Sequence, residues 1–155
     1  MGYRNPEQWL NLKRVVRFGD SDAAGVIHFH NVLRWCHESW EESLQNYGIF
    51  SCDVFPGSRS SLEDLSVVLP IVHCEADFFK PIKTGDALLV KLVPKRIDLS
   101  SFQIETNFYC QHHFVARGLV RHIAIKSKTS ERYPLPELID LWLEASSLKL
   151  GPSPA

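Results

Sequence analysis

The chain carries no excess of either charge: 17 Lys and Arg stand against 18 Asp and Glu, a formal net charge of -1 over 155 residues. That balance argues against a dedicated nucleic-acid binder, which needs a basic face to neutralise phosphates. No apolar run is long enough to cross a bilayer, and the N-terminal MGYRNPEQW lacks a signal-peptide core. Pro6 stands where a myristoylation signal needs Ser or Thr. A soluble, cytoplasmic chain without a membrane partner is the expectation. The four cysteines, Cys36, Cys52, Cys74 and Cys110, form no C-x-x-C pair. They are expected to be buried structural thiols rather than a disulfide framework or a zinc site.

Familiar catalytic signatures are missing too. Gly19-Asp20-Ser21-Asp22-Ala23 ends in Ala where a nucleophile elbow needs its second Gly. His37-Glu38-Ser39-Trp40-Glu41 opens like a zinc-protease helix and then lacks the second His. Cys36 and His37 are adjacent on a helix, so their side chains diverge and cannot form a dyad with each other. The glycines never fall into a phosphate-loop or dinucleotide spacing, which removes kinase and dehydrogenase readings. His28 and His30 could meet a metal from an extended segment, but no third ligand stands nearby; packing or substrate contact is the expectation. No internal repeat or low-complexity linker divides the chain.

What is present is a composition of 45% hydrophobic and 23% charged residues, suited to one globular domain over 1–155. Residues 11–18 favour a strand, with Leu12, Val16 and Phe18 on one side. The clearest element is a long helix with Asn31 as N-cap, an apolar stripe of Leu33, Cys36, Trp40, Leu44 and Tyr47, and Gly48 as its stop. Residues 51–61 break the pattern, with a short helix expected near Leu62–Val67. After Pro70 the period changes, and Ile71–Lys80, Ala87–Ile97, Phe102–His112 and Val115–Ser127 read as antiparallel strands with short connections. Pro94 predicts a bulge or an edge position. Ala116, Gly118, Val120 and Ala124 leave one strand face small, as a closely approaching helix requires. A C-terminal helix is expected over about 136–147, with Leu138, Leu141, Trp142 and Ala145 on one side, and then a frayed tail, 151–155. The economical architecture is α+β: an antiparallel sheet curled around one long helix.

The unusual segment is Asp20-Ser21-Asp22-Ala23-Ala24-Gly25-Val26-Ile27, two carboxylates between a strand and the entry to a helix. An Asp there can be partly desolvated, and the unpaired N–H groups of a helix N-terminus lie just beyond it. A base or nucleophile beside an oxyanion site is what acyl transfer requires. Gly25 would let the backbone pass close to a ligand. The residues alone leave a second reading open, in which Asp20 and Asp22 only shape a turn.

Phe18 through Ile27, followed by Phe29, Asn31, Leu33 and Trp35, resembles the 4-hydroxybenzoyl-CoA thioesterase branch of the hotdog-fold superfamily. Asp77-Phe78-Phe79-Lys80-Pro81 and Gly85-Asp86-Ala87-Leu88 resemble the same family's second strand and following turn, and the match runs over about 12–127. Cys36-His37-Glu38-Ser39-Trp40-Glu41-Glu42-Ser43-Leu44 and Arg121-His122-Ile123-Ala124-Ile125 are similar to the cyanobacterial thioesterases that act on 1,4-dihydroxy-2-naphthoyl-CoA in phylloquinone biosynthesis. The resemblance implies a hotdog fold and hydrolysis of an aromatic acyl-CoA. It places the catalytic carboxylate at Asp22, with Asp20 structural, and the oxyanion donor at the backbone N–H of Phe29.

Relatives that hydrolyse small acyl-CoA often carry His at the position of Phe29, so an Asp-His pair there is not expected. His28 replaces a common aromatic and is expected in the pocket wall. Arg59, Lys80, Lys83 and Lys128 are candidates for the coenzyme A phosphates. No metal or redox cofactor is implied. A homodimer or homotetramer is, because the family joins its sheets edge to edge. Two alternatives stand beside this: a thioesterase for 4-hydroxybenzoyl-CoA, aliphatic acyl-CoA or acyl-carrier protein, and a non-catalytic acyl-CoA binding module.

Overall fold

The fold is taken from a computed structural model, which describes residues 4–57 and 65–148. Its elements run in the order α1 (Glu7–Leu10), β1 (Asn11–Val15), α2 (His30–Tyr47), β2 (Val67–Val68), β3 (Ile71–Phe78), β4 (Ala87–Asp98), β5 (Ser101–Cys110), β6 (His113–Ile123), β7 (Ile125–Lys126) and α3 (Glu137–Ser146). Five strands form one antiparallel sheet in the order β1-β4-β5-β6-β3, and β2 pairs β7 as a separate ribbon. The α+β architecture expected from the sequence is the observed one. α2 packs on the inner face of the sheet against β3, β4 and β6. No helix among the described residues is long and apolar enough to cross a membrane.

The contact between α2 and β6 sets how deeply the helix sits. An added Cβ on Gly118 would lie 2.3 Å from Cys36 Sγ, so only glycine admits the helix at this distance. Ala116, Val120 and Ala124 continue the small face, all of them buried. The helix stripe is rotated from the expected one. Its buried side is Val32, Trp35, Cys36, Ser39, Trp40, Ser43 and Leu44, with Leu33 and Tyr47 only half-buried. Small serines in that stripe are what let the helix lie close, and a reading based on apolar residues alone passes over them. Gly48 ends α2 with φ 118, its N–H reaching the carbonyls of Leu44 and Gln45.

Other expectations shift for identifiable reasons. α3 buries Ile139, Trp142 and Leu143 and leaves Leu138 and Leu141 exposed. A buried indole N–H needs an acceptor, and Trp142 Nε1 finds Ser43 Oγ on α2 at 3.1 Å, which fixes the rotation of α3. Phe18 turns outward because β1 ends at Val15 and a 3-10 turn follows. Pro94 pairs with Ile104 but lies past the end of β1, which covers β4 only to Lys91, so it occupies an edge position. The register shift in β4 comes later, between Arg96 and Asp98. Of the helix expected near Leu62–Val67, Val67 is in strand β2, and residues 62–64 lie outside the described residues, as does the tail 151–155. Only one of the four free thiols, Cys36, is buried; Cys52 and Cys110 are half-buried and Cys74 is exposed on the edge strand β3.

Candidate active site

Between the 3-10 turn and α2 the chain doubles back in a small hairpin. Ser21 and Ile27 form an antiparallel bridge, Asp22 N–H donates to the Val26 carbonyl at 2.9 Å, and Gly25 N–H donates to the Asp22 carbonyl at 3.1 Å. Gly25 has φ 80 and an added Cβ there would meet nothing within 4 Å. The turn therefore needs glycine for its backbone angle, and the fold itself brings no atom close to it. Val26 also bridges to Lys83, tying the hairpin to the segment that enters β4.

The two carboxylates differ sharply. Asp20 is buried, with Oδ2 accepting the Arg17 N–H at 2.8 Å and Oδ1 accepting the Arg34 guanidinium at 2.6 Å. Its carbonyl takes the His28 N–H at 3.1 Å and the Asn31 side-chain amide at 2.6 Å. Asp22 is exposed, not partly desolvated as expected, because it stands at the hairpin tip. Its Oδ1 accepts the Ala24 and Val26 N–H groups at 2.8 and 3.4 Å, and Oδ2 has no partner among the described residues. The turn-shaping reading left open by the sequence is seen in Oδ1, while Oδ2 is left without a partner among the described residues.

Helix α2 begins at His30 with Phe29 as its N-cap, two residues earlier than expected. Asn31 sits inside the first turn and is buried. It does not cap the helix but clamps the base of the hairpin to it through the Asp20 carbonyl. The Phe29 N–H has no acceptor among the described residues, and the Phe29 ring is exposed. An open cavity of about 400 Å³ lies beside it, walled by Val26, Ile27, Phe29, Phe78, Phe79 and Lys80. Phe29 lines that cavity directly, and Asp22 is tied to it through its backbone hydrogen bond to Val26, which lines it too.

His28 and His30 lie exposed on either side of Phe29, their Nδ1 atoms hydrogen-bonded to each other and the His28 ring 4.7 Å from that of Phe29. No group of three or more His, Cys, Asp or Glu that could hold a metal occurs among the described residues. Lys80 borders the cavity, and the Lys83 N–H donates to Asp86 at 2.9 Å beside the hairpin. Lys128 is not brought to this site. It lines a separate cleft with Lys126 and Tyr133 past the far end of β6, whereas Lys80 bonds the Val115 carbonyl near the start of that strand. Arg59 lies outside the described residues. Arg17 and Arg34 are the residues that sequence reasoning missed. Their partner is 3 and 14 positions away, and nothing in the spacing of either marks the contact.

Two interior groups are removed from the chemistry by burial. The Cys36 thiol is pushed up to about 12 by desolvation, which keeps it protonated and inert. The His122 imidazole is pushed down to about 4, again by desolvation, with Nδ1 3.0 Å from the Leu69 carbonyl.

A family model for the thioesterase-like superfamily matches residues 16–143. A 1,4-dihydroxy-2-naphthoyl-CoA hydrolase of Prochlorococcus marinus strain MIT 9313 is 57% identical over 148 residues, spanning 95% of this chain and 98% of that protein. A solved structure from the same strain superposes with a TM-score of 0.91 at 58% identity, covering 92% of this chain and 99% of the other. The crystal structure of a 1,4-dihydroxy-2-naphthoyl-CoA thioesterase from Synechocystis gives a TM-score of 0.78 at 27% identity, covering 86% and 94% of the two chains.

Proposed function

Because the chain belongs to the thioesterase-like superfamily, we propose that it hydrolyses 1,4-dihydroxy-2-naphthoyl-CoA to 1,4-dihydroxy-2-naphthoate and coenzyme A, a step of phylloquinone biosynthesis. The observation that carries this reading is the Asp22 Oδ2 in a hairpin clamped to the N-terminus of α2; neither it nor the Phe29 N–H has a partner among the described residues. The relatives' substrate supplies the acyl group.

The thioester carbonyl points at the Phe29 N–H, where the start of an 18-residue helix adds its dipole. Charge developing on that oxygen is met by a fixed donor, an interaction that typically contributes about 2.7–4 kcal/mol to the transition state. Asp22 completes the reaction by one of two balanced routes. It attacks the carbonyl, expelling the thiolate and leaving a mixed anhydride for water to open, or it takes a proton from the attacking water. Neither route calls for a metal or a redox cofactor. The planar acyl group lies against Phe29, Phe78 and Phe79, whereas His28, expected in the pocket wall, and His30 are not among the residues lining that cavity. Lys80 and Lys83 are the cations where the coenzyme A arm leaves the cavity.

The functional unit is a homodimer or a tetramer built from it, joined through β3. That strand is an eight-residue edge, exposed along nearly its whole length and carrying Ile71, Val72 and Phe78 at the surface. An open edge of this kind pairs with a second copy unless it is blocked. The unit acts in the cytoplasm.

Thiol release from 1,4-dihydroxy-2-naphthoyl-CoA, benzoyl-CoA and a medium-chain acyl-CoA tests the substrate. The expected result is a strong preference in kcat/KM for the naphthoyl thioester. Equal rates on all three, or preference for the aliphatic one, would overturn the assignment, and release from none would mark an acyl-CoA binding module.

A further inference from the structure

The hairpin that carries Asp22 stands on Asp20, whose contacts among the described residues sort by where they come from. Its N–H donates to the Arg17 carbonyl at 3.0 Å, its Oδ2 accepts the Arg17 N–H, and its carbonyl accepts the His28 N–H. Those partners lie on the chain that enters and leaves the hairpin, so they move with it. Asn31 and Arg34 belong instead to α2. Asn31 holds the Asp20 carbonyl at 2.6 Å, and Arg34 Nη2 holds Oδ1 at 2.6 Å. A tie on the backbone alone lets Asp20 swing about that point. A second tie on the side chain fixes the direction in which the chain leaves for Asp22.

A half-exposed arginine is a loose anchor by itself, because so long a side chain must give up its rotamer freedom. Glu38, one turn along α2, supplies the support. Its Oε1 faces Arg34 Nε at 3.6 Å, and its Oε2 accepts Arg14 Nη2 at 2.5 Å. Arg14 lies on β1 opposite Leu88 of β4, and its guanidinium stands 5.5 Å from the ring centroid of the wholly buried Trp35. The alternating charges Asp20, Arg34, Glu38 and Arg14 therefore run from the base of the hairpin to the sheet and the core. Helix stability does not account for them, since Arg34 precedes Glu38 along α2, the less favourable order for such a pair.

We propose that Arg34 is a positioning residue for Asp22, held in place by Glu38 and Arg14, so that this ladder of charges sets the angle at which the carboxylate meets the thioester. The proposal rests on the reading of Asp22 as the reacting carboxylate. The planar guanidinium of Arg34 presents Nη2 to one carboxylate and Nε to another, a fixed fork that a lysine lacks.

The test is kinetic, on 1,4-dihydroxy-2-naphthoyl-CoA. Arg34→Gln should lower kcat about 10- to 100-fold with KM unchanged, the scale of a misplaced reacting group. Glu38→Gln should lower kcat about two- to fivefold, the scale of one partly exposed ion pair. Arg14→Gln should match it, and the double variant of Arg14 and Glu38 should lose no more than either, as members of one chain of contacts do. Arg34→Lys keeps the charge against buried Asp20 and so the unfolding midpoint, but should show the kcat of Glu38→Gln; these two variants decide the matter even where Arg34→Gln fails to fold. In an Asp22→Asn chain, Arg34→Lys should take nothing further from the residual rate, because its effect passes through Asp22. A further loss there, or unchanged kcat in Arg34→Lys and Glu38→Gln, would overturn the proposal. Should the wild type cleave no thioester, the thioesterase reading falls, and amide hydrogen exchange still decides the ladder. The Asp22, Gly25 and His28 amides, all bonded within the hairpin, should exchange faster in Glu38→Gln than in the wild type while those of β5 do not change. Equal exchange in the two proteins would overturn it.

Discussion

Asn31 is a small residue with a large part in the geometry. Its buried amide is the link between the first turn of α2 and the carbonyl of Asp20, two positions before the proposed catalytic Asp22. Asn31→Ala leaves that carbonyl with only the His28 N–H and should cost about 1–3 kcal/mol of stability, read from urea unfolding. Turnover should fall more than KM rises, because the relation of Asp22 to the Phe29 N–H is loosened. A variant with unchanged kcat would show that the clamp does not matter to the chemistry. The turn at Asp22 and Gly25 was legible in the sequence because an acidic, glycine-containing stretch before a helix is unusual, and the resemblance selects Asp22 as the candidate carboxylate. The burial of Asp20 and the clamps from Arg34 and Asn31 were not legible. They join residues 11 and 14 positions apart through a hairpin whose closure is itself a tertiary event.

At the scale of elements, the close approach of α2 to β6 is the contact most exposed to a test. Gly118→Ala puts a Cβ where Cys36 Sγ already is and should cost roughly 1–3 kcal/mol through overpacking. Cys36→Ala in the same chain removes the obstructing sulfur and should restore part of that loss in thermal or urea unfolding. No recovery would place the strain elsewhere. Here the sequence was informative in part: the small face of β6 follows from residue size and the end of α2 from Gly48, but its start does not follow from Asn31, which lies inside the first turn. The rotation of α2 and α3 was not, because Ser43 and Trp142 settle it between them by one buried hydrogen bond.

His122 couples the same interface to pH. It lies between Trp40 and Phe102, with ring centroids 4.5 and 5.1 Å away, and His37 stands 6.1 Å off on α2. Since the Leu69 carbonyl can only accept, Nδ1 carries the proton and the imidazole is neutral. With its folded value near 4 against an ordinary 6.5, the unfolded chain binds the proton first. Stability from this group is complete above pH 6.5 and is lost as pH falls through 6.5 to 4, about 3 kcal/mol in all. His122→Phe should flatten unfolding free energy over that window. An equal slope in the variant would assign the acid sensitivity to other groups.

For the whole molecule, the open edge of β3 is the feature that a single chain leaves unfinished. Sedimentation should give a dimer or a tetramer, and a monomer at assay concentrations would contradict pairing through β3. The order of strands in the sheet was only partly legible: alternation announced the strands, but adjacency comes from which edges meet in space. β3 shows the cost of that gap, since a period-two reading gives it an inner face, whereas as the edge it is exposed nearly throughout.

In the proposed reaction the Asp22 carboxylate oxygen that the turn leaves unbound does the chemistry. Asp22→Asn retains the amide oxygen that holds the Ala24 N–H, so the hairpin and the thermal unfolding midpoint should be preserved. Thiol release from 1,4-dihydroxy-2-naphthoyl-CoA should fall by about 10²–10⁴-fold, the range for losing a positioned base. A folded variant that releases thiol at the wild-type rate would contradict the account.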